Sequence, residues 1–459
     1  MKRTIRIAIA VLALTFSLSV SAQTPKYVFF MITDGMGINS ADMARLYNQS
    51  QGDDTPLLFR TFPVQTFLTS NATNALVTDS AAAATALFCG SKTANGYLGV
   101  DAEGNSLESL ASLAKRKGKG VALVTTDATN QATPSALHAH TMDRNDKNYL
   151  HQSLIDSDCV DFATGSYMVP AKNDSRTIDD WIAEAKSKGV NIFRGRDQYR
   201  KVKGEKVIYL SALETHQLTY VIDNHGQDLK LTDFTEAAID YLDTNFGKKG
   251  FFAMIEAGNT DHAAHLRDAA ATIAEINEFN KALGLVMDFC ARHKGECLVV
   301  MASDHETGGV CLSEGKTGYL SHQKCSADAL SRKIAQLREQ TGNKVSWYAI
   351  KDVLSENLGL WKEVPVKREQ EEQMYEIYLN TFLRSSDRWE VNLYSKTEKI
   401  AHYAISCLDE NAGVVWSTSH HSAAPTPLFA WGVKAIEFAA CKDQTDVPGV
   451  VAKIAGYTK

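Results

Sequence analysis

Three things are missing from this chain of 459 residues, and each absence excludes a class of function. No run of lysine and arginine is long enough to line a nucleic-acid groove, and the formal charge is −6, so a polyanionic partner held by charge is not expected. Beyond the N-terminus no apolar stretch is long enough for a membrane-spanning helix. There is no internal repeat and no low-complexity tract, so solenoids and linkers are excluded as well. Cysteine is present but sparse. The eight cysteines permit disulfides only if the chain is exported. Cys290 with Cys297, and Cys311 with Cys325, are near enough in sequence to pair, although connectivity cannot be deduced. Cys89 is expected to be a buried free thiol.

The N-terminus reads as a secretory leader over residues 1–22. Lys2, Arg3 and Arg6 form its basic end, residues 7–18 its apolar core, and Ser19-Val20-Ser21-Ala22 a small-residue cleavage site before Gln23. That apolar core is short for a bilayer span, and no cysteine follows the cleavage site, so lipid attachment there is not expected. The reading is an exported, soluble protein, periplasmic or secreted. Without the leader the balance is 45 basic against 54 acidic residues, or −9.

Residues 23–459 are expected to form one α/β domain. Continuous apolar runs at residues 27–32, 121–125, 251–255, 298–302 and 428–431 read as buried strands. Helical spacing falls between them, with Leu107, Leu110, Ala111 and Ala114 on one face, and Ile273, Ile276, Leu283 and Met287 on another. Alternation of this kind predicts a three-layer α/β/α sandwich around a large, mostly parallel sheet. Residues 313–411 differ, being rich in Lys, Glu and Gln. Leu330, Ile334 and Leu337, then Met374, Ile377 and Tyr378, have helical spacing, so the segment reads as a helical insertion. A lid, a rim over the working site, a dimer contact or a tolerated surface addition would each fit it.

In sheets of this class the working residues gather at the carboxyl ends of strands. Asp34 follows the first run, Thr133 follows the second after a loop, and Glu256 follows the third, with Asp261 and His265 close behind. Asp304-His305 follow the fourth, and His421 precedes the fifth. These are ligand types for Zn²⁺ and Mg²⁺. Asp261 and His265, at i and i+4, share a helix face. Singly, each is as readily a helix cap or a satisfied histidine; together, at strand ends, they are hard to explain as caps. Ser80, after Asp79 and before an alanine run, is placed on the first turn of a helix, where an anion is favoured.

At this point the chain resembles the alkaline phosphatase family over nearly its whole length, with residues 313–411 the divergent part. Asp34-Gly35-Met36-Gly37, Thr78-Asp79-Ser80-Ala81-Ala82, Gly96-Tyr97-Leu98-Gly99-Val100, Ala132-Thr133-Pro134, Arg144, Glu256 with Asp261 and His265, Asp304-His305 and His421 match its motifs in order. The resemblance implies metal-dependent hydrolysis of phosphate monoesters, with broad range, through a phosphoserine on Ser80. It implies two Zn²⁺ and one Mg²⁺ per chain and a homodimer. Asp261, His265 and His421 would hold one zinc, and Asp34, Asp304 and His305 the other. Asp34, Glu256 and Thr133 would hold magnesium, and Arg144 would grip phosphate.

Two positions depart from the pattern. Gln131 stands where the family has an acidic residue or histidine, and His262 stands where some members have lysine. His420 adjoins His421, but spacing to Gly432 favours His421. His138 and His140 read as partly buried, hydrogen-bonded histidines. A phosphodiesterase with the same metals is the nearest rival, disfavoured by the Ser nucleophile and Arg144. A sulfatase is excluded, because neither Cys-x-Pro-x-Arg nor Ser-x-Pro-x-Arg occurs. A metal-stabilised scaffold without turnover is the rival from outside enzymes.

Overall fold

The computed structural model describes residues 24–172, 174–384 and 386–458; the leader predicted at residues 1–22 lies outside them. Nine strands make one sheet: β1 (Tyr27–Thr33), β2 (Val64–Leu68), β3 (Gly120–Thr125), β4 (Phe162–Gly165), β5 (Asn191–Arg194), β6 (Val207–Leu210), β7 (Phe251–Ala257), β8 (Cys297–Ala302) and β9 (Thr426–Gly432). Their spatial order is β2-β9-β8-β1-β7-β3-β4-β6-β5. Pairing is parallel from β8 to β5, while β9 runs against both β8 and β2. The fold is therefore α/β with a mixed, mostly parallel sheet.

Side-chain alternation along β1 explains the layering. Tyr27, Phe29 and Met31 enter one buried cluster, and Val28, Phe30 and Ile32 enter another on the opposite face. Helices Ile38–Ser50, Leu231–Phe246 and Ala269–Arg292 cover the first face, and Ser80–Cys89, Lys147–Asp156 and Asp446–Ile454 the second. A strand buried on both sides must be apolar throughout, which is why β1, β3, β7 and β8 stand out in the sequence. Strands β2, β4, β5 and β6 do not, being only four or five residues long.

Two expectations about local structure are corrected. Leu107 lies outside its expected helix, which starts at Leu110 because the Ser109 hydroxyl caps it. All eight cysteines are free. Cys290 and Cys297 are buried as thiols, whereas Cys311 is exposed and Cys325 buried, so the second pair lies in different environments. Cys89 is free as expected, though only partly buried.

Within residues 313–411 the helices are Ala327–Gln340, Trp347–Leu358, Arg368–Tyr378 and Lys399–Ala412, joined by a small ribbon of Trp389–Val391 and Lys396–Glu398. Leu330, Ile334, Met374 and Ile400 pack into the same cluster as Phe29 and Phe279. No helix among the described residues is long and apolar enough to cross a membrane.

One buried acid makes stability depend on pH. Glu275 accepts the Val221 N–H at 2.7 Å, and burial pushes its carboxyl up to about 8. The folded form then keeps a proton that the unfolded chain loses above its ordinary value, so stability falls as pH rises through that window. Glu275→Gln should gain on the wild type by a few kcal/mol, at roughly 1.4 kcal/mol per pH unit, as pH rises from about 5 to 8. Thermal unfolding of the two proteins across that range checks this, and a constant gap would show that Glu275 ionises normally.

Candidate metal centre and nucleophile

Sheet register brings the predicted residues to one edge. Ile32 lies opposite both Glu256 and Ala302, Thr125 opposite Glu256, and Leu428 opposite Ala302. The carboxyl ends of β1, β3, β7 and β8 are thus level. Because β9 runs the other way, its beginning, just after His421, reaches the same edge. Gly35 is required at this turn: its φ is +72°, and a Cβ there would come within 2.8 Å of Asp261 Oδ1.

The three predicted histidines are oriented alike. His265 Nδ1 meets the Ser419 carbonyl at 2.7 Å, His421 Nδ1 the Thr78 carbonyl at 2.9 Å, and His305 Nδ1 the Thr307 hydroxyl at 3.2 Å. Holding Nδ1 this way turns each Nε2 inward. His305 Nε2 lies 3.2 Å from Asp304 Oδ2 and 3.4 Å from Asp34 Oδ1. His265 Nε2 lies 3.1 Å from His421 Nε2 and 3.3 Å from Asp261 Oδ2. Two groups of potential ligand atoms close to within 4.8 Å: Asp34, Asp304 and His305, and Asp261, His305 and His421. His265 falls just outside the second group, and the His305 ring, stacked on His421 at 3.5 Å, joins the two.

The donors fit divalent cations. Asp34 Oδ1, Asp304 Oδ2, Asp261 Oδ2 and Glu256 Oε2 are buried and accept no hydrogen bond. Burial, and then Asp304, Asp261 and Glu256, push the Asp34 carboxyl well above the ordinary range. Burial lifts Asp304 too, followed by Asp261, and burial with Asp127 lifts Glu256 against the Thr125 and Thr133 hydroxyls. Asp261 goes the other way: burial opposes its charge, but His265, His421 and His305 outweigh it. Protonated acids crowded beside unpaired oxygens are what a cation would relieve.

Ser80 opens the Ser80–Cys89 helix, and its Oγ lies 3.1 Å from His305 Nε2. Asp79 caps that helix through Ala82 N–H, accepts the Gly96 N–H at 2.9 Å, and accepts from Arg144 Nη1 at 3.0 Å. It therefore aims the guanidinium at the helix N-terminus. The Thr133 hydroxyl hydrogen-bonds to the Glu256 carboxyl. His421 faces the cluster, while His420 is exposed. His138 is buried on Ser153, and His140 is exposed with its ring on the Gly99 carbonyl.

Several residues had no sequence signal. Asp127 and Gln217 clasp the buried His262, Thr307 donates to Asp261, and Tyr394 stacks on His262. Their partners lie far along the chain, so no local pattern could mark them. Only Asp127, just past β3, sits where a strand-end rule would look.

The family model for alkaline phosphatase matches residues 25–171 and 162–457. The chain belongs to the alkaline phosphatase family. It is 27% identical to alkaline phosphatase 4 of Bacillus subtilis over 93% of this chain and 88% of that protein. To the repressible alkaline phosphatase of Saccharomyces cerevisiae it is also 27% identical, over 92% of this chain and 78% of that protein. The cold-active alkaline phosphatase of a psychrophilic Shewanella has the same fold, with a TM-score of 0.76 at 23% identity, covering 94% of this chain and all of that one. As an alkaline phosphatase the protein is a metal-dependent phosphoric monoester hydrolase.

Because burial raises the Asp34, Asp304 and Glu256 carboxyls, divalent-cation affinity should rise with pH between about 5 and 8. Calorimetric titration of the metal-free protein in two buffers of different ionisation enthalpy should count about one proton or more released per ion. No release would mean that these carboxylates are already ionised.

Proposed function

We propose that the chain hydrolyses phosphate monoesters of many alcohols through a phosphoserine on Ser80, with two Zn²⁺ and one Mg²⁺ per chain. The observation that carries this reading is the 3.1 Å contact of Ser80 Oγ with His305 Nε2, at a helix N-terminus beside unpaired carboxylates. Asp34, Asp304 and His305 would hold one zinc, and Asp261, His265 and His421 the other. Asp34, Glu256 and Thr133, all oxygen donors, would hold magnesium. Bound there, the ions supply charge and Lewis acidity to the entering and leaving oxygens of an in-line displacement.

The chain's own groups do the rest. Ser80 loses its hydroxyl proton, and Oγ attacks phosphorus. The bond to the ester oxygen breaks, and the alcohol leaves with that electron pair and takes up a proton. Water then attacks the phosphoserine, which releases phosphate and returns a proton to Oγ. Backbone N–H groups of the first helical turn and Arg144, its plane fixed by Asp79, bind the remaining oxygens.

Ser80→Ala should lower the rate on p-nitrophenyl phosphate by on the order of 10³-fold or more while the protein still binds zinc. Elemental analysis and steady-state rates on one sample check this. Retained turnover would remove the phosphoserine, a faster rate on a diester would make the enzyme a phosphodiesterase, and no turnover by zinc-loaded wild type would leave a scaffold.

The third site has an unusual neighbour. Lys147 Nζ donates to Gln131 Oε1 and to the Asn130 carbonyl, both at 3.0 Å, and burial brings its ammonium down to about 8. A neutral amide occupied by an ammonium adds no charge for magnesium. Substituted forms of the Antarctic TAB5 alkaline phosphatase, 21–22% identical with a TM-score of 0.67, carry Mg in their M3 site. Gln131→Asp should raise magnesium affinity of the zinc-loaded protein by about tenfold, ~1.4 kcal/mol, as calorimetry would read; unchanged affinity would show that this position does not tune the site.

Export is supported by the leader pattern of residues 1–22. A homodimer is what the family resemblance implies.

A further inference from the structure

The insertion reaches the site through one ribbon. Trp389–Val391 pairs with Lys396–Glu398, and the turn between them carries Tyr394. Asn392 fixes that turn: its Oδ1 accepts the N–H groups of Tyr394 at 3.1 Å and Ser395 at 2.8 Å. The base of the ribbon is equally fixed. Glu398, fully buried, takes a two-pronged ion pair from Arg338, both arms at 3.0 Å, and the guanidinium lies 3.3 Å from the Phe382 ring centroid. Glu390 pairs with Arg267 at 3.0 Å, just past the helix that bears Asp261 and His265.

Held this way, the Tyr394 ring lies flat on His262, with centroids 3.8 Å apart at 13°, and edge-on to His265 at 5.2 Å. Burial first, and then the charge of Asp261, push its hydroxyl well above the ordinary tyrosine range. No aromatic side chain covers its other face among the described residues, and the ring is partly exposed. Beside it on the turn, Leu393 is 59% exposed, so the tip offers apolar surface.

In-line displacement puts the attacking and leaving oxygens on opposite sides of phosphorus. Ser80 Oγ meets His305 Nε2, the ring nitrogen that faces Asp34 and Asp304, so Ser80 would attack from that side. The ester oxygen therefore departs toward Asp261, His265 and His421, the side that Tyr394 overlies. We propose that Tyr394 is a specificity-determining residue that contacts the alcohol portion of the ester and favours aryl over alkyl phosphates. An aromatic leaving group gains ring–ring contact there that an alkyl chain of similar reach does not. This rests on the phosphomonoesterase reading of the Ser80 site.

The test compares phenyl phosphate with ethyl phosphate, and adds inhibition by inorganic phosphate, which has no alcohol. Wild type, Tyr394→Phe and Tyr394→Leu are assayed with zinc content measured on each. Expected is a loss of about tenfold in kcat/KM on phenyl phosphate for Tyr394→Leu, mostly in KM, with ethyl phosphate and the phosphate inhibition constant within about twofold. Tyr394→Phe should keep the wild-type ratio of the two esters. Equal losses on both esters, or a shift in zinc content or phosphate inhibition, would make Tyr394 a prop for His262 and His265 and overturn the proposal. So would an unchanged ester ratio in Tyr394→Leu. Failure of the underlying reading looks different: zinc-loaded wild type would turn over neither ester, or Ser80→Ala would remain active.

Discussion

Four buried acids crowded at one sheet edge are the constraint on which the rest depends. Asp34, Asp261, Asp304 and Glu256 are each at most 5% exposed. Two unit charges 4 Å apart cost on the order of 4 kcal/mol even in a moderately polarisable interior, so the set cannot be fully ionised without cations among it. The carboxylates do not gather by chance of folding. Parallel register levels the ends of β1, β3, β7 and β8; Asp34 follows β1, Asp304 follows β8, and Glu256 and Asp261 come from the end of β7 and the helix after it. What makes these strands legible as core also makes their ends a charge trap. The cost is borne by the sheet, whose central strands are buried on both faces.

Around that trap the neutral donors are arranged so that little has to move. Two histidines are locked by backbone carbonyls and one by a hydroxyl, which fixes which nitrogen faces inward. One of those carbonyls belongs to Thr78, two residues before Ser80. The segment that orients His421 thus also carries Ser80, and Asp79 between them holds Arg144. Displacing this short stretch would disturb His421, Ser80 and Arg144 together, and hydrogen bonds tie it at each of these points.

How much of this was legible in the sequence follows from how local each signal is. Strands β1, β3, β7, β8 and β9 announce themselves as apolar runs ended by an acid or glycine. Strands β2 and β5 are short and half exposed, so they resemble loops. The candidate ligand residues could be read as candidates because most lie beside a strand end and the ordered set is specific. Thr307 and Tyr394 could not, because each acts on a residue distant in sequence; Asp127 lies just past β3, where a strand-end rule would look, although its partner His262 is distant. Nearness in sequence did not decide the cysteines: Cys290 and Cys297 are buried side by side, whereas Cys311 is exposed and Cys325 buried.

The insertion completes the division of labour. The candidate groups for the displacement come from strand ends, the Asn259–His265 helix, the turn at Ser80 and the loop that carries Arg144, and those groups would see only the phosphoryl centre. Nothing in that set can tell one alcohol from another. Discrimination has to come from a segment that the chemistry leaves free, yet a floppy segment would gain little from contact because ordering it costs entropy. Residues 313–411 meet both conditions. Their apolar residues join the same core as Phe29, which ties the ribbon's base to the sheet, while the tip carries no acid or histidine and takes no part in holding ions. A rigid arm of unrelated sequence can then present an aromatic ring beside the metal ligands without changing a single one of them.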